Sequence, residues 1–478
     1  MFCGRKEELA TLNELTSKKT ASLVCLLGRR RIGKSTLIKQ FAKKFDSYFE
    51  IQGLAPVPKM KPQMQLDHFA KQLKSHFGGP LMVFKDWEEA LEELAKKTSK
   101  GRHLILLDEV SWLAWKSPLF PSHLKDVWDR KFKENNKLIL VLCGSVSSWI
   151  QKNILNHANF VGRVSAQINL KELSLNELNN FFESLSGIIG TNEKLKVLSV
   201  TGGVPKYLEE AVINRNLDQH MAELCFSKNG FLANEYEKIF NDIFGVKKKT
   251  LEKIIRACVD RHWEPNLLAK KLKTPQNSDF KENLDILVLS GFIERDYYLK
   301  LSSPLSKLSR LRLSDNYIRF YLKYIEPNLI NLSSSRKKIS SLSQLDGFEI
   351  VQGFQFENLI LNNRHLVHNL LKINDSEIIA SGPFRQAGNS KDKKGCQVDL
   401  LVHLKGSSFY LCEIKCKKLI NKNVIADVEK KMKILHFPKR SSVRPVLIYS
   451  GDIYLPDQEE IQQYFSHIIS LEQLMEEN

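Results

Sequence analysis

Short, largely hydrophobic runs recur in the first 170 residues of the chain. The three clearest runs are 21–27, 103–107 and 137–143, and each is followed at once by a glycine or by acidic residues. Runs of this length without alternating polar residues are typical of strands that are buried on both faces of a parallel sheet. Helical spacing of apolar residues follows the first run at 37–42. The pattern predicts an α/β core of strands and helices.

The pattern changes twice after this core. Residues 171–240 carry Leu, Phe and Ile at three- and four-residue spacings, which predicts a group of helices. Three further helices and two alternating strands follow, predicted at 246–260, 265–272, 274–290, 292–299 and 310–314. Three helices and a β-hairpin in this order make a winged helix, which is a variant of the helix-turn-helix.

The last part of the chain indicates a separate module. A polar stretch at 333–338 is typical of a linker. Residues 351–478 then follow the order helix, strands, helix, strand. The first helix carries Glu357, strands are predicted at 377–380, 396–404, 409–415 and 445–449, and a lysine-rich helix is predicted near 424–436.

Size and composition exclude several classes of protein. A chain of 478 residues is too long for one hydrophobic core and indicates several domains. No apolar run approaches the roughly 20 residues of a membrane span, and the first residues lack the hydrophobic segment of a signal peptide. The eight cysteines form no Cys-x-x-Cys pair, so we expect a cytoplasmic protein without a zinc site.

The charge balance points to an anionic partner. Lys and Arg number 72 and Asp and Glu number 54, so the formal net charge is 72 − 54 = +18. An excess of this size indicates nucleic acid, and DNA first. A lysine-rich solvated surface without a specific partner is the alternative, and charge alone leaves both open.

The segment after the first strand has the pattern of a phosphate-binding P-loop, Gly-x4-Gly-Lys-Ser, between a strand and a helix. Its glycines let backbone N–H groups face the β-phosphate, and the helix N-terminus adds partial positive charge. Lys34 would reach the β- and γ-phosphates, and Ser35 would hold Mg²⁺. We therefore predict that ATP with Mg²⁺ is bound by Gly28, Arg29, Arg30, Arg31, Ile32, Gly33, Lys34, Ser35 and Thr36.

Other strand ends supply the groups that hydrolysis needs. Asp108 ends a strand expected to neighbour the first one and would bind the metal ion, while Glu109 would polarise the attacking water. Ser145 follows the third strand, where a polar side chain can sense the γ-phosphate. Arg163 lies near the start of another strand and is a candidate arginine finger, although an isolated arginine in a basic chain is more often structural.

These segments together resemble the archaeal-type ATPases of the STAND/AAA+ group. The resemblance implies that Arg163 acts as the finger, across the interface of a homo-oligomer, and that Gly-Gly-Val-Pro at 202–205 belongs to a helical lid. Residues 312–321 resemble the segment that joins the ATPase to a C-terminal domain in this group. The remaining matches are the box at 2–9, the P-loop, Asp108-Glu109, Gly144-Ser145 and Gly162-Arg163.

A predicted hairpin in the C-terminal module carries charged side chains. Asp399 and Glu413 lie on adjacent strands, and two-residue periodicity puts Lys415 on the same face as Glu413. Two carboxylates can share one Mg²⁺, with Glu357 as a further candidate ligand, and a lysine can orient water or stabilise a departing oxygen. A salt-bridged hairpin without catalysis is the alternative.

This module resembles the PD-(D/E)XK nuclease-like domain that is fused to these ATPases. The match covers Glu357, Asp399, Glu413, Lys415 and the order of elements around them. It departs at Val398, where the motif has proline, and no glutamine marks the following helix. The resemblance therefore implies the restriction-endonuclease-like fold more directly than it implies cleavage.

We predict an α/β protein that binds and hydrolyses ATP, acts on or near DNA and carries a possible metal-dependent nuclease. Two alternatives stay open: an ATP-dependent switch or scaffold without nuclease activity, and an initiator-like DNA-binding AAA+ protein, which the hairpin at 396–415 disfavours. The predicted segments are the ATPase core 1–170, helical lid 171–243, winged helix 244–325, linker 326–350 and nuclease-like domain 351–478.

Overall fold

The computed structural model divides the chain into two compact units, Met1–Glu172 with Asp285–Gly291, and Leu173–Leu284 with Phe292–Asn478. The first boundary falls two residues beyond the predicted end of the ATPase core. The predicted linker at 333–338 and the predicted helix start at Val246 lie outside the described residues. The structure describes residues 2–145, 147–183, 189–212, 216–244, 247–301, 308–329, 339–386, 388 and 394–476.

A five-stranded parallel sheet is the centre of the first unit. Its strands pair in the order β2-β3-β4-β1-β5, and the three hydrophobic runs form β1, β3 and β4, as predicted. One expectation is wrong, because β4 lies between β1 and the strand that ends in Asp108. The strands are β1 Ser22–Leu27, β2 Ser47–Gln52, β3 His103–Asp108, β4 Ile139–Gly144 and β5 Val164–Asn169.

Helices cover both faces of this sheet, which explains why its three central strands β1, β3 and β4 are almost entirely hydrophobic. In β1, Leu23, Cys25 and Leu27 pack into the core on one face, whereas Val24 and Leu26 pack into the core on the other. The pattern analysis did not predict β2 or the two helices that follow it. The helices are α1 Lys6–Leu15, α2 Lys34–Ala42, α3 Gln63–Phe77, α4 Trp87–Lys97, α5 Val110–Leu113, α6 Phe120–Arg130 and α7 Ser147–Ile150.

The first part of the second unit is helical, as the spacing of apolar residues predicts. Its helices are α8 Leu175–Glu183, α9 Thr191–Thr201, α10 Pro205–Ala211, α11 Leu217–Phe226 and α12 Glu235–Phe244. Three further helices and an antiparallel strand pair come next, and residues 285–289 of the third helix belong to the first unit. Trp263 forms an isolated bridge to Leu311 beside the strand pair. These elements are α13 Lys248–Ala257, α14 Pro265–Lys271, α15 Ser278–Leu289, β6 Ile293–Tyr297 and β7 Ser309–Leu313.

The rest of the second unit holds a mixed five-stranded sheet in the order β12-β11-β10-β9-β8. The predicted order of helix, strands, helix and strand is present, but α18, α20, β12 and α21 were not predicted. Strands β8, β9 and β10 are antiparallel, whereas β10, β11 and β12 are parallel. The elements are α16 Asn316–Phe320, α17 Phe348–Asn362, α18 Arg364–Leu370, β8 Ile378–Gln386, β9 Cys396–Leu404, β10 Ser408–Ile420, α19 Asn423–Ile434, β11 Ser442–Ile453, α20 Gln458–Tyr464, β12 His467–Ser470 and α21 Leu471–Met475.

The structure also describes the state of the cysteines and the length of the apolar helices. All eight cysteines lie in the described residues, and none of them is joined in a disulfide. Among the helices that the structure describes, none has both the length and the apolar character needed to cross a bilayer.

A buried polar network joins the elements of the second unit. Arg312 on β7 donates from Nε to Asp296 Oδ2 at 3.0 Å, and its Nη1 bonds Asn358 on α17. Gln355, also on α17, donates to the carbonyl oxygen of Ser199 on α9 at 2.9 Å. Arg319 donates to Gln355 Oε1 at 2.6 Å. Because buried polar groups are costly without partners, this network fixes how these elements pack.

The Asp296→Ala variant should lose about 3 kcal/mol or more of stability. Asp296 and Arg312 are 5% and 2% exposed, and removing one partner leaves a buried charge without compensation. Urea denaturation followed by intrinsic fluorescence measures the effect. The control is Asp260→Ala, which breaks an ion pair with Lys323 in which Asp260 is 71% exposed and should cost less than about 1 kcal/mol. Equal losses in both variants would contradict this account of the network.

Candidate functional site

The predicted P-loop connects β1 to α2, in the strand–loop–helix setting that its sequence requires. Gly28 has a φ of 147°, and a Cβ at this position would lie 2.7 Å from the carbonyl oxygen of Leu170. Gly33 caps α2 with a φ of 90°. Arg31 also has a positive φ, of 72°, which is uncommon outside glycine. The loop therefore curls tightly around its own backbone.

Lys34 points its ammonium group into this loop. Its Nζ donates to the carbonyl oxygens of Gly28 and Arg29 at 2.8 and 3.0 Å, and it lies 3.4 Å from Ser145 Oγ. The side chain is buried, so its charge is directed at the loop rather than into bulk water. An ammonium held beside loop N–H groups at a helix N-terminus is suited to bind phosphate.

The other P-loop residues differ in their surroundings. Ile32 is buried in the core beneath the loop, and Thr36 is exposed on α2. Arg29 is buried and pairs with Glu172, whereas Arg30 and Arg31 are half-buried. The guanidinium of Arg5 donates to the carbonyl oxygens of Ile32 and Lys171 at 3.0 and 2.8 Å, so it braces the loop from outside. The P-loop motif alone does not predict that Arg5 and Glu172 contact the loop.

Ser35 and Asp108 meet although β4 separates their strands. Ser35 Oγ donates to Asp108 Oδ2 at 2.9 Å, and Asp108 is only 6% exposed. Hydroxyl and carboxylate oxygens are the ligands that Mg²⁺ prefers, in sites completed by water and phosphate. The donor set therefore fits the predicted metal ion.

Glu109 is held in an unusual conformation by Ser145. Its backbone is left-handed, with φ 48° and ψ 50°, and such strain in a residue other than glycine is concentrated at functional sites. Ser145 donates to both carboxylate oxygens, from Oγ at 2.6 Å and from its backbone N at 3.1 Å. Lys34, Ser145 and Glu109 thus form a continuous line of polar contacts across the ends of three strands.

Gly53 follows β2 and packs directly against the Glu109 turn, which the sequence analysis missed. A Cβ at Gly53 would lie 2.9 Å from the Glu109 carbonyl oxygen and 2.8 Å from the Leu113 backbone nitrogen. The Gly53 backbone N–H also donates to the carbonyl oxygen of Asp108 at 3.1 Å. The turn can lie this close to β2 only because position 53 has no side chain.

Arg163 lies away from the P-loop of its own chain. It precedes β5, whose first residue Val164 pairs with Leu23 at the start of β1, whereas the P-loop follows the far end of β1. Four residues of strand separate these ends by about 13 Å. The Arg163 guanidinium is instead held by Asp129, with Nη2 to Oδ2 at 2.7 Å, and this pairing lowers the pKa of Asp129. Any role as an arginine finger therefore requires a second copy of the chain.

The charged residues of the C-terminal module converge on a cavity of about 630 Å³ that Glu357, Asp399, Glu413 and Lys415 all line. Lys415 Nζ lies 2.8 Å from Glu413 Oε1, which confirms that the two side chains share a face of β10. Asp399 accepts a hydrogen bond from the Ile414 backbone nitrogen at 2.9 Å. The predicted hairpin pairing of β9 with β10 is therefore present.

The surroundings of these acids differ from those of a preformed metal site. Lys431 on α19 binds the second oxygen of Glu413 at 2.5 Å, so both oxygens of this carboxylate are paired with lysines. Burial and the nearby Asp399 carboxylate raise the pKa of Glu357, and burial with Glu413 raises the pKa of Asp399. Among the described residues, no group of three or more His, Cys, Asp or Glu side chains is arranged to hold a metal ion. The structure thus gathers the predicted ligands in one cavity without forming a three-ligand cluster.

Residues 2–211 match the family profile of an ATPase domain predominantly from Archaea. The uncharacterized protein MJECL04 of Methanocaldococcus jannaschii is 26% identical over 365 residues, 75% of this chain and 76% of that protein. The uncharacterized ATP-binding protein MJ0423 of the same organism is 51% identical over 41 residues, 9% of this chain and 70% of that protein.

A solved structure, the Walker-type ATPase PABY2304 of Pyrococcus abyssi, aligns with a TM-score of 0.49 at 16% identity. The alignment covers 67% of this chain and 96% of that one. The family match and the P-loop geometry agree on the same residues. Residues 2–211 of this chain are therefore an ATPase domain of the archaeal type.

Proposed function

We propose that this domain binds ATP with Mg²⁺ and hydrolyses it. The observation that carries the proposal is the contact line at the strand ends, in which Ser35 meets Asp108 and Ser145 joins Lys34 to Glu109. These residues belong to three separate segments of the chain, 34–35, 108–109 and 145, which meet only in the folded domain. A similar protein from Methanocaldococcus jannaschii is named as ATP-binding, which supports the same ligand.

Each side chain has a role that its position supports. Lys34 would turn from the loop carbonyls to the phosphates, and Ser35 with Asp108 would hold the metal ion, which supplies charge neutralisation when bound. Glu109 would accept a proton from the attacking water after Ser145 releases its carboxylate. Arg163 would serve the nucleotide of a second copy in a homo-oligomer.

The Glu109→Gln variant should bind ATP like the wild type but hydrolyse it roughly 10²–10⁴-fold more slowly, because the amide cannot accept the proton. The Lys34→Ala variant should lose binding itself. Steady-state phosphate release and equilibrium ATP binding measure the two effects. The matched controls are Glu88→Gln and Lys39→Ala, whose side chains are 40% and 57% exposed in surface ion pairs. Wild-type turnover in Glu109→Gln would refute the assigned role.

The Gly53→Ala variant should lower kcat by about tenfold and change KM for ATP by less than about threefold. The new methyl group pushes on the Glu109 turn, and small displacements of a catalytic group cost rate rather than ground-state binding. The same kinetic assay measures this effect. Gly190→Ala is the control, since a Cβ there meets no atom of the described residues within 4 Å and φ is −70°. If KM rises while kcat stays constant, Gly53 does not position Glu109.

We also propose that α8–α12 form a lid and that α13–α15 with β6 and β7 form a winged helix that contacts DNA. The order of elements supports the winged helix. The isolated bridge between Trp263 and Leu311 adds a third, one-residue strand position to the pair formed by β6 and β7. Lys270, Lys271 and Lys273 are exposed at the end of α14 and just beyond it. The net charge of +18 favours a polyanion as the partner.

A second candidate function is metal-dependent cleavage of nucleic acid by the C-terminal cavity. The specific observation is the convergence of Asp399, Glu413 and Lys415, from two adjacent strands, on one open cavity. A metal ion there would be held by the two carboxylates, after the lysines leave Glu413, and would polarise a phosphate oxygen. Without such activity, the module acts as a regulatory or scaffolding part of the ATPase.

Cleavage of DNA in Mg²⁺ or Mn²⁺ should fall at least about a hundredfold in the variants Glu413→Ala and Lys415→Ala, because each removes a group at the reacting phosphate. Gel analysis of labelled single-stranded and duplex DNA measures it. Lys433→Ala is the control, since this lysine lies on the same α19 as Lys431 but is 79% exposed. Cleavage that persists in both cavity variants would contradict the assignment of Glu413 and Lys415 to a nuclease site.

A further inference from the structure

Two large apolar side chains on α17 stand outside the hydrophobic core. Ile350 and Phe354 are 68% and 53% exposed, and they lie one helical turn apart. Other apolar residues of the same helix, such as Phe356 and Leu359, are buried. Ile350 and Phe354 both line the cavity that contains Glu357, so the exposed apolar face forms one wall of the candidate site.

The lining of the cavity is also basic. Lys417 on β10 and Lys430 on α19 are exposed at its rim. Lys415 and Lys431 lie deeper and pair with Glu413. The cavity lining therefore combines an exposed aromatic side chain, exposed ammonium groups and carboxylates.

Gly353 lies between the two apolar side chains and lines the same cavity. Among the residues that the structure describes, none has an atom within 4 Å of a Cβ built on Gly353. A flat ligand that approaches the helix backbone beside Phe354 would therefore displace none of the described side chains at Gly353.

We propose that this cavity binds an unpaired stretch of nucleic acid, with a base stacked on Phe354 and the backbone phosphates bound by Lys417 and Lys430. Aromatic platforms flanked by lysines bind single strands because every base has a π face and every phosphate a charge. A continuous duplex keeps its bases stacked inside and offers Phe354 no free face. The inference rests on the proposed role of the C-terminal cavity in nucleic-acid binding and specifies its substrate as single-stranded or unpaired.

Fluorescence anisotropy with a labelled oligothymidine and with a blunt duplex tests the proposal, using the full chain in EDTA so that nothing is cleaved. Phe354→Ala should bind the single strand about tenfold more weakly, Phe354→Trp should bind it like the wild type, and duplex affinity should not change. Tyr454→Ala is the matched control, because Tyr454 is 43% exposed in the same module but does not line this cavity. Single-strand affinity should be unchanged in that variant.

A second variant keeps the test independent of the aromatic side chain. Lys417→Gln with Lys430→Gln should lower the salt dependence of single-strand binding by about 1.4 in slope, at roughly 0.7 per phosphate contact. Unchanged single-strand binding in both cavity variants would overturn the inference, as would an equal loss for duplex. Failure of the cleavage proposal looks different, since oligothymidine would still bind through Phe354 without being cut. Single-strand binding that depends on Lys270 and Lys271 alone would place the unpaired strand on the proposed winged helix and contradict a role for the cavity.

Discussion

The parallel pairing of β1, β3 and β4 is the constraint on which the candidate ATPase site depends. Parallel strands bring their carboxyl ends to one edge of the sheet, so residues far apart in sequence meet there. Lys34, Asp108 with Glu109, and Ser145 each follow one of these strands and come into contact across that edge. The same rule places Arg163 at the other edge, because it precedes its strand instead of following it.

The sequence predicted the strands of this site better than their arrangement. The runs at 21–27, 103–107 and 137–143 are almost entirely hydrophobic because helices cover both faces of the sheet, and that signal is local. The insertion of β4 between β1 and β3 is a long-range choice that no local pattern encodes. Gly53 escaped prediction for a similar reason, since its importance comes from a contact with the Glu109 turn, more than fifty residues away.

The second unit shows a different limit of sequence reasoning. The hairpin of β9 and β10 and the shared face of Glu413 and Lys415 followed from two-residue periodicity. Lys431 did not, because it comes from a later helix and looks like an ordinary surface lysine in the sequence. By pairing with the second oxygen of Glu413, it changes the cavity from a simple set of acids into a mixed site whose lysines and carboxylates neutralise one another.

The two units also differ in what holds their parts together. The first depends on apolar packing against both faces of one sheet. The second adds a buried polar network in which α17 is hydrogen-bonded to α9 and to the segment around Arg319. Glu357 and Phe354 of α17 also line the C-terminal cavity. The network that fixes the packing of α17 therefore also fixes the position of these two lining residues.

The nucleotide that remains bound after incubation with MgATP tests the central claim most directly. Chromatography of the protein-bound fraction should show ADP in the wild type, ATP in Glu109→Gln and no nucleotide in Lys34→Ala. This pattern is expected because Lys34 is needed for binding and Glu109 only for hydrolysis. Retention of nucleotide by Lys34→Ala, or ADP formed at the wild-type rate by Glu109→Gln, would contradict the assignment of the site.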